Sequence, residues 1–367
     1  MRNPNFFILI IAILIVSLGI LSIYSSTFQK EGKPWQDIFK RQILWVILGL
    51  FIFFISSNFN YRRLWDWTYF LYAIGLLFLF LVFIIGVARL GAQRWLKIAW
   101  FNFQPSEFAK LILVIFLARY FSKKEVFDIS LISGKLGIFR GLLLPFIFMA
   151  IPVCLVIEQP DLGSGLMIIL LFVALLYVTG IKLRHIFIFL AVIALCLPLF
   201  WQSLRDYQKE RLLVFLNPNI DPLGAGYTVI QSKIAIGSAG ILGKGWLSGT
   251  QSQLHFLPEA HTDFIFATFT EEWGLLGSSV LLVLYYLLIQ QGFLIAQRTQ
   301  DHFGKLLAFG ITLMLGIQIF INIAMNLGLA PVVGLPLPLM SYGGSSVVVT
   351  FIALGILVNI DKKRAVF

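Results

Sequence analysis

The chain has 367 residues, of which 59% are hydrophobic and only 12% charged. Soluble domains carry about 25% charged residues, so these proportions exclude an ordinary soluble fold and point to a polytopic membrane protein. A net charge of +11 would suggest nucleic acid as the partner of a soluble protein. Here the implied partner is anionic membrane lipid, and no nucleic acid is expected.

The first apolar run, Phe6 to Tyr24, is too long for a signal-peptide core and is followed by no small-x-small cleavage site, which makes it a retained first helix. At 1.5 Å per residue, about 20 apolar residues cross a hydrocarbon core of roughly 30 Å. Runs of this kind lie at 6–24, 42–57, 69–87, 106–121, 141–157, 163–179, 185–201, 264–290, 306–327 and 343–360. The expected fold is therefore all-α, one integral membrane domain over 1–367 with about ten transmembrane helices. An even number puts both termini on one side. Arg2, Arg62-Arg63, Lys123-Lys124 with Lys135 and Arg140, Lys182 with Arg184, Arg298 with Lys305, and Lys362-Lys363-Arg364 all fall on that side, which makes it cytoplasmic.

The opposite side is itself basic. Lys30, Lys33, Lys40 and Arg41 fall in the first outer loop, and Arg89, Arg94 and Lys97 in the second. Short outer loops normally avoid such charges. Either the orientation is inverted, or these cations meet an anionic head group or pyrophosphate. Any one of them is equally explained as a side chain snorkelling from a helix end. Cys154 and Cys196 sit inside apolar runs as small hydrophobes and imply neither disulfide nor metal site.

The one long connection, 202–262, is expected to be a large extracytoplasmic loop. Its stretch from Leu204 to Leu216 is amphipathic and suits the membrane interface. A glycine-rich segment from Gly224 to Gly249 follows, read as a flexible functional loop without a core of its own. No internal repeat is visible, which weighs against an inverted-repeat transporter.

In this topology the even-numbered helices all begin on the outer face, and four begin with polar motifs. They are Phe103-Gln104-Pro105-Ser106-Glu107-Phe108-Ala109-Lys110, Glu158-Gln159-Pro160-Asp161-Leu162-Gly163, His261-Thr262-Asp263, and Ser341-Tyr342-Gly343-Gly344-Ser345-Ser346. Helix N-termini present free N–H groups and the positive end of the macrodipole, so a cavity ringed by them suits a pyrophosphate. Glu107 and Lys110, three apart, share a helix face. They are either a structural salt bridge or part of a site. Asp161 is either a helix cap or a ligand.

Asp263 has the same capping alternative, but Glu259, His261, Glu271 and Glu272 surround it in sequence. Ionisable groups so crowded at a membrane boundary are functional candidates. His261 either orients a carboxylate or bonds a backbone carbonyl. Glu271 and Glu272, two turns inward, are expected to be buried hydrogen-bonding partners. The chemistry this suggests is acid–base. Asp263 accepts the proton of a sugar hydroxyl as that oxygen attacks an anomeric carbon, while cations and helix ends stabilise a departing pyrophosphate. Carboxylate oxygens also suit a divalent cation such as magnesium or manganese, though no ligand spacing demands one.

Across essentially its whole length the sequence resembles the SEDS family (shape, elongation, division and sporulation), and its RodA branch more than the division paralogue FtsW. The resemblance rests on Arg94-Trp95-Leu96 with Phe103-Gln104-Pro105-Ser106-Glu107, Gln159-Pro160-Asp161-Leu162-Gly163, Gly249-Thr250-Gln251-Ser252-Gln253, Leu257 to Ala267, and Met340-Ser341-Tyr342-Gly343-Gly344-Ser345-Ser346. Ala260 is the residue more similar to FtsW. Membership implies a ten-helix peptidoglycan glycosyltransferase that polymerises lipid II outside the bacterial cytoplasmic membrane beside a class B penicillin-binding protein. The family's essential aspartate then corresponds to Asp263, and its polar-cavity residues to Glu107, Lys110 and Asp161. Arg94, Lys97, His261, Ser341 and Tyr342 complete the expected substrate contacts. Two other functions use similar sequence features: a flippase for lipid-linked precursor, and a non-catalytic scaffold of the cell-wall complex. A flippase needs polar groups through the full membrane depth, whereas these gather towards one face.

Overall fold

A computed structural model describes residues 4–28, 33–89, 92–98, 101–123, 143–181, 183–204, 206–222, 224 and 226–363. Arg2, Lys30, Lys124, Lys135, Arg140, Lys182 and Arg364, cations assigned above to one face or the other, lie outside the described residues, as does Arg205 of the amphipathic stretch.

The chain is helical almost throughout. In order come α1 (Pro4–Phe28), α2 (Lys33–Asn58), α3 (Arg63–Ile85), α4 (Pro105–Ser122), α5 (Leu144–Glu158), α6 (Leu162–Val178) and α7 (Leu183–Ser203). Then follow α8 (Asp206–Leu216), α9 (Tyr227–Gly237), the short α10 (Thr250–Gln253), α11 (Ile265–Arg298), α12 (His302–Asn326) and α13 (Gly344–Lys363). Among the described residues, six helices are long and apolar enough to cross a membrane: Phe6–Phe28, Asp37–Asn58, Arg63–Ile85, Ile265–Arg298, His302–Asn326 and Gly344–Lys363. Leu144–Glu158 and Leu162–Val178 are apolar but shorter. This is an all-α polytopic membrane protein. Apolar side chains such as Phe51, Phe54, Phe70, Phe80 and Ile84 lie outward, where lipid is their natural solvent. In α1 the hydroxyls of Ser17, Ser22 and Thr27 donate to carbonyls four residues back, satisfying polar groups within the span.

Three local features differ from the sequence reading. Lys33, Lys40 and Arg41, expected in an outer loop, lie within α2, because the polar turn before the apolar run already has good helix formers. The second connection is not an open loop but a three-stranded antiparallel sheet, β1 (Val87–Arg89), β2 (Ala92–Ile98) and β3 (Phe101–Phe103), with Leu96 opposite Phe103 and Lys97 opposite Asn102. The glycine-rich loop holds α9 and α10. Ala235 of α9 packs with Leu257, Ala260, Phe264 and Ala267, a small core that the loop was expected to lack.

The chain divides into two compact units. One takes the described residues of Met1–Gly49, Leu197–Ile289 and Gln318–Val348, the other those of Leu50–Cys196, Gln290–Ile317 and Val349–Phe367. In the second unit α3 packs on α4, where Gly75 faces Ile112. Tyr72 of α3 donates through its hydroxyl to Phe148 O of α5 at 2.7 Å, and the Phe116 ring of α4 packs tilted against the Tyr72 and Phe148 rings, with centroids 4.7 Å from each. Asn359 of α13 accepts from Tyr61 N at 3.0 Å and donates to Ser57 O at 2.9 Å, capping the turn between α2 and α3. The first unit is organised around the polar loop that enters α11.

Candidate active site

The predicted site residues form two clusters, one in each unit. In the first unit the loop from Leu257 to Phe264 closes as a tight turn. Glu259 adopts the left-handed region with φ 51°, and its carbonyl accepts from Thr262 N at 3.1 Å and Phe264 N at 3.3 Å. Its carboxylate accepts from Thr262 Oγ1 at 3.0 Å. The apolar members Leu257, Ala260 and Phe264 are buried, whereas Asp263 between them stays partly exposed. A Cβ placed on Gly334 would sit 3.4 Å from Asp263 Oδ2, so the carboxylate lies close alongside the Gly334 backbone, where φ is +71°.

Three successive carbonyls of this turn are each taken by a donor from elsewhere in the unit. Tyr342 N donates to His261 O at 2.9 Å, and Ser341 Oγ to Thr262 O at 2.6 Å. Asn322 Nδ2 and Asn326 Nδ2 both donate to Asp263 O at 3.0 Å. Ser341, expected at the substrate, is buried, and its hydroxyl also accepts from Leu337 N at 2.8 Å. Tyr342 is partly exposed and its ring centroid lies 5.8 Å from that of the buried His261. Gln42 of α2 fixes the same segment, donating to Ser341 O at 3.2 Å and accepting from Gly343 N at 3.3 Å. A side chain on Gly344 would collide with Trp45, which explains one glycine of the Gly343-Gly344 pair by close packing.

The helix entered by this loop is broken. Gly274 has φ 66° and ψ −162°, a combination reserved for glycine. The loop at Gly240–Gly245 stitches the gap. Lys244 N and Gly245 N donate to the carbonyls of Glu271 and Glu272 at 2.9 and 3.0 Å, and Leu275 N and Leu276 N donate to those of Gly240 and Ile241 at 3.0 and 3.1 Å. The Glu271 side chain accepts from Lys244 Nζ at 2.7 Å, Thr250 Oγ1 at 3.0 Å and Gln251 N at 3.1 Å, and Glu272 accepts from Ser25 Oγ. Both glutamates are thus the buried hydrogen-bonding partners that the sequence suggested, and their work is to hold the large loop.

In the second unit Lys110 Nζ donates to Glu107 Oε1 at 2.6 Å, and the two are 1% and 2% exposed. The ion pair expected from their spacing exists. Asp161 caps α6 by accepting from Ser164 N at 3.2 Å, as its position before the helix suggested. It also accepts from Ser106 Oγ at 3.2 Å and lies 3.8 Å from Arg94 Nη1. Arg94 donates in addition to Pro160 O. Arg94 and Asp161, predicted separately, therefore face one another, while Lys97 on β2 is exposed. Among the described residues no group of three or more His, Cys, Asp or Glu side chains could hold a metal ion.

Sequence reasoning missed Asn322, Asn326 and Gln42. The signal for the asparagines was two carboxamides four apart, on one face of an otherwise apolar span. Their partner, Asp263, lies some sixty residues away in the chain.

The profile of the cell cycle protein family named for FtsW, RodA and SpoVE matches residues 5–366. The chain is 42% identical over 363 residues to the peptidoglycan glycosyltransferase MrdB of Escherichia coli K12, covering 99% of this chain and 94% of that protein. It superposes with a TM-score of 0.80 at 34% identity on a chain from a peptidoglycan synthase complex that coordinates polymerization and crosslinking, covering 98% of each. With the rod shape determining protein RodA of Thermus thermophilus the TM-score is 0.70 at 29% identity, over 98% of this chain and 97% of that one. Motifs, helical architecture and matches along nearly the full length agree, and the chain belongs to the FtsW, RodA and SpoVE family of cell cycle proteins.

Proposed function

We propose that the chain is a peptidoglycan glycosyltransferase of the bacterial cytoplasmic membrane, polymerising lipid II into glycan strands for cell elongation and rod shape. The observation that carries this reading is the partly exposed carboxylate of Asp263, held on a turn whose carbonyls at His261, Thr262 and Asp263 are all fixed by other elements. A general base must be pre-positioned to within a fraction of an ångström, and such a turn supplies that.

In the proposed reaction an acceptor hydroxyl gives its proton to Asp263 as its oxygen forms a bond to the anomeric carbon of the donor. The bond from that carbon to the pyrophosphate breaks, and undecaprenyl pyrophosphate leaves with the electron pair. Within the second unit, Glu107 and Asp161 orient Lys110 and Arg94 through their ion pairs, and these cations with Lys97 suit anionic phosphate groups. His261 and Tyr342 flank the base, and Ser341 supports it through Thr262.

We further propose that the loop 202–262 and Asp263 face outward, that both termini are cytoplasmic, and that a class B penicillin-binding protein supplies the crosslinking activity. Membership beside a chain from a peptidoglycan synthase complex supports the partner. The deciding experiment is glycan polymerisation by purified protein on purified lipid II. Asp263→Asn and Asp263→Ala are expected to abolish strand formation while eluting and melting like the parent protein; full activity in either removes Asp263 from the chemistry.

A further inference from the structure

Ala267 is the third residue of α11 (Ile265–Arg298), so its N–H is among those a helix start leaves without an intrahelical acceptor, and Asp263 O, four residues back, lies outside the helix. Here the side chain of Asn326 stands between those two groups. Its Oδ1 accepts from Ala267 N at 3.1 Å while its Nδ2 donates to Asp263 O at 3.0 Å. The carboxamide is thus inserted into the first turn of α11, capping one of the N–H groups a helix start leaves open and keeping Asp263 just outside the helix. The orientation of the amide follows from its partners. One end meets an N–H, whereas the other meets the carbonyls of Asp263 and Asn322, so the nitrogen must lie at the second end.

Asn322, one turn earlier on the same face of α12, completes the arrangement. Its Nδ2 donates to Asp263 O at 3.0 Å and to Leu335 O at 2.7 Å, using both hydrogens. It therefore ties the backbone of Asp263 to the segment whose Gly334 lies beside the carboxylate. Asn322 and Asn326 are wholly buried, and Asn326 O is held in turn by Ser232 Oγ at 2.7 Å. Two carboxamides buried in a membrane-spanning helix carry a high desolvation cost unless every polar atom is matched. Here they are matched, and both converge on one carbonyl.

We infer that Asn322 and Asn326 are positioning residues for the reaction: they aim the Asp263 carboxylate by clamping its backbone and touch no substrate themselves. This rests on the reading of Asp263 as the base. Clamp residues of this kind act on the reacting geometry, and a displacement near 1 Å is worth about 100-fold in rate. Their loss should lower kcat and leave KM for the lipid-linked disaccharide nearly unchanged.

The test uses the full-length protein with Asn326→Ala, Asn326→Leu and Asn322→Ala, each assayed for steady-state polymerisation and for thermal melting in detergent. Asn326→Leu keeps about the same size but can bond neither Ala267 N–H nor the Asp263 carbonyl, so it removes the clamp without opening a large cavity. The expected result is a loss in kcat of about 10- to 100-fold for both Asn326 variants and a smaller loss for Asn322→Ala, with KM within about 2-fold of the parent value. Unchanged kcat, a loss carried by KM, or a rate loss that follows a fall in melting temperature in all three variants would each overturn the inference. Asp263→Asn is run beside them. Activity in that variant removes the base itself, whereas an inactive Asp263→Asn with fully active clamp variants removes only the clamp.

Discussion

The ion pair of Glu107 and Lys110 allows architecture to be separated from chemistry. The two groups meet at 2.6 Å, are 2% and 1% exposed, and lie within α4, so neither has bulk water to fall back on. Replacing Lys110 by Met removes one charge and leaves the other buried. Breaking such a pair costs roughly 3–5 kcal/mol, whereas removing both charges together is often neutral or even stabilising. Lys110→Met and Glu107→Gln should therefore each lower the melting temperature by several degrees, and the double variant should recover most of that loss. The assay is thermal melting of detergent-purified protein, with polymerisation on lipid II measured on the same samples. If either single variant melts like the parent, the buried-charge reasoning is wrong. Once the double variant has regained stability, its activity separates the roles: restored polymerisation makes the pair architectural, and a stable but inactive protein places it in the reaction.

Two further outcomes are expected. Gly274→Ala forces a side chain into a backbone region costing about 1–3 kcal/mol for any other residue, and its Cβ would meet the backbone of Ile241 and Gly243. Unfolding stability should fall by at least that amount, lowering the melting temperature by several degrees, and limited proteolysis within 240–253 should quicken; a variant as stable and protease-resistant as the parent would show that the stitched break is not needed. In a background with Cys154 and Cys196 replaced by Ser, Gln251→Cys should react with a membrane-impermeant thiol reagent added to intact cells. Labelling only after permeabilisation would invert the proposed orientation.

Six of the ten expected spans, those long and apolar enough to cross a membrane among the described residues, were legible because the bilayer imposes one simple demand, a long apolar run. The ion pair at Glu107 and Lys110 and the cap at Asp161 were legible because helix periodicity places their partners locally. The sheet at Val87–Phe103 was not, since its strands are short and its polar residues, among them Arg94 and Lys97, mask any alternation. Nor was the break at Gly274. A lone glycine in an apolar span is common, and what makes this one special is a loop thirty residues earlier whose N–H groups satisfy the exposed carbonyls. The sequence did mark the spot indirectly, with Glu271 and Glu272 side by side within a span. The Asn322 and Asn326 contacts were illegible for the same reason: their significance lies in a carbonyl some sixty residues distant.

Those illegible features share a physical cause. Where the backbone of a membrane protein leaves the helical ladder, every hydrogen bond it thereby opens must be closed by something else. At the start of α11 the Asn326 carboxamide closes it; at Gly274 the loop Gly240–Gly245 does so, helped by Ser278 Oγ donating to Gly274 O at 2.8 Å. The segment Ile265–Trp273 is thus fixed at both ends by groups from outside its own helix. The position of Asp263 is consequently set by side chains of α12 and by the large loop more than by the continuity of the span beneath it. Substitutions that alter those bonds should therefore change the rate of polymerisation even where they lie far from any sugar.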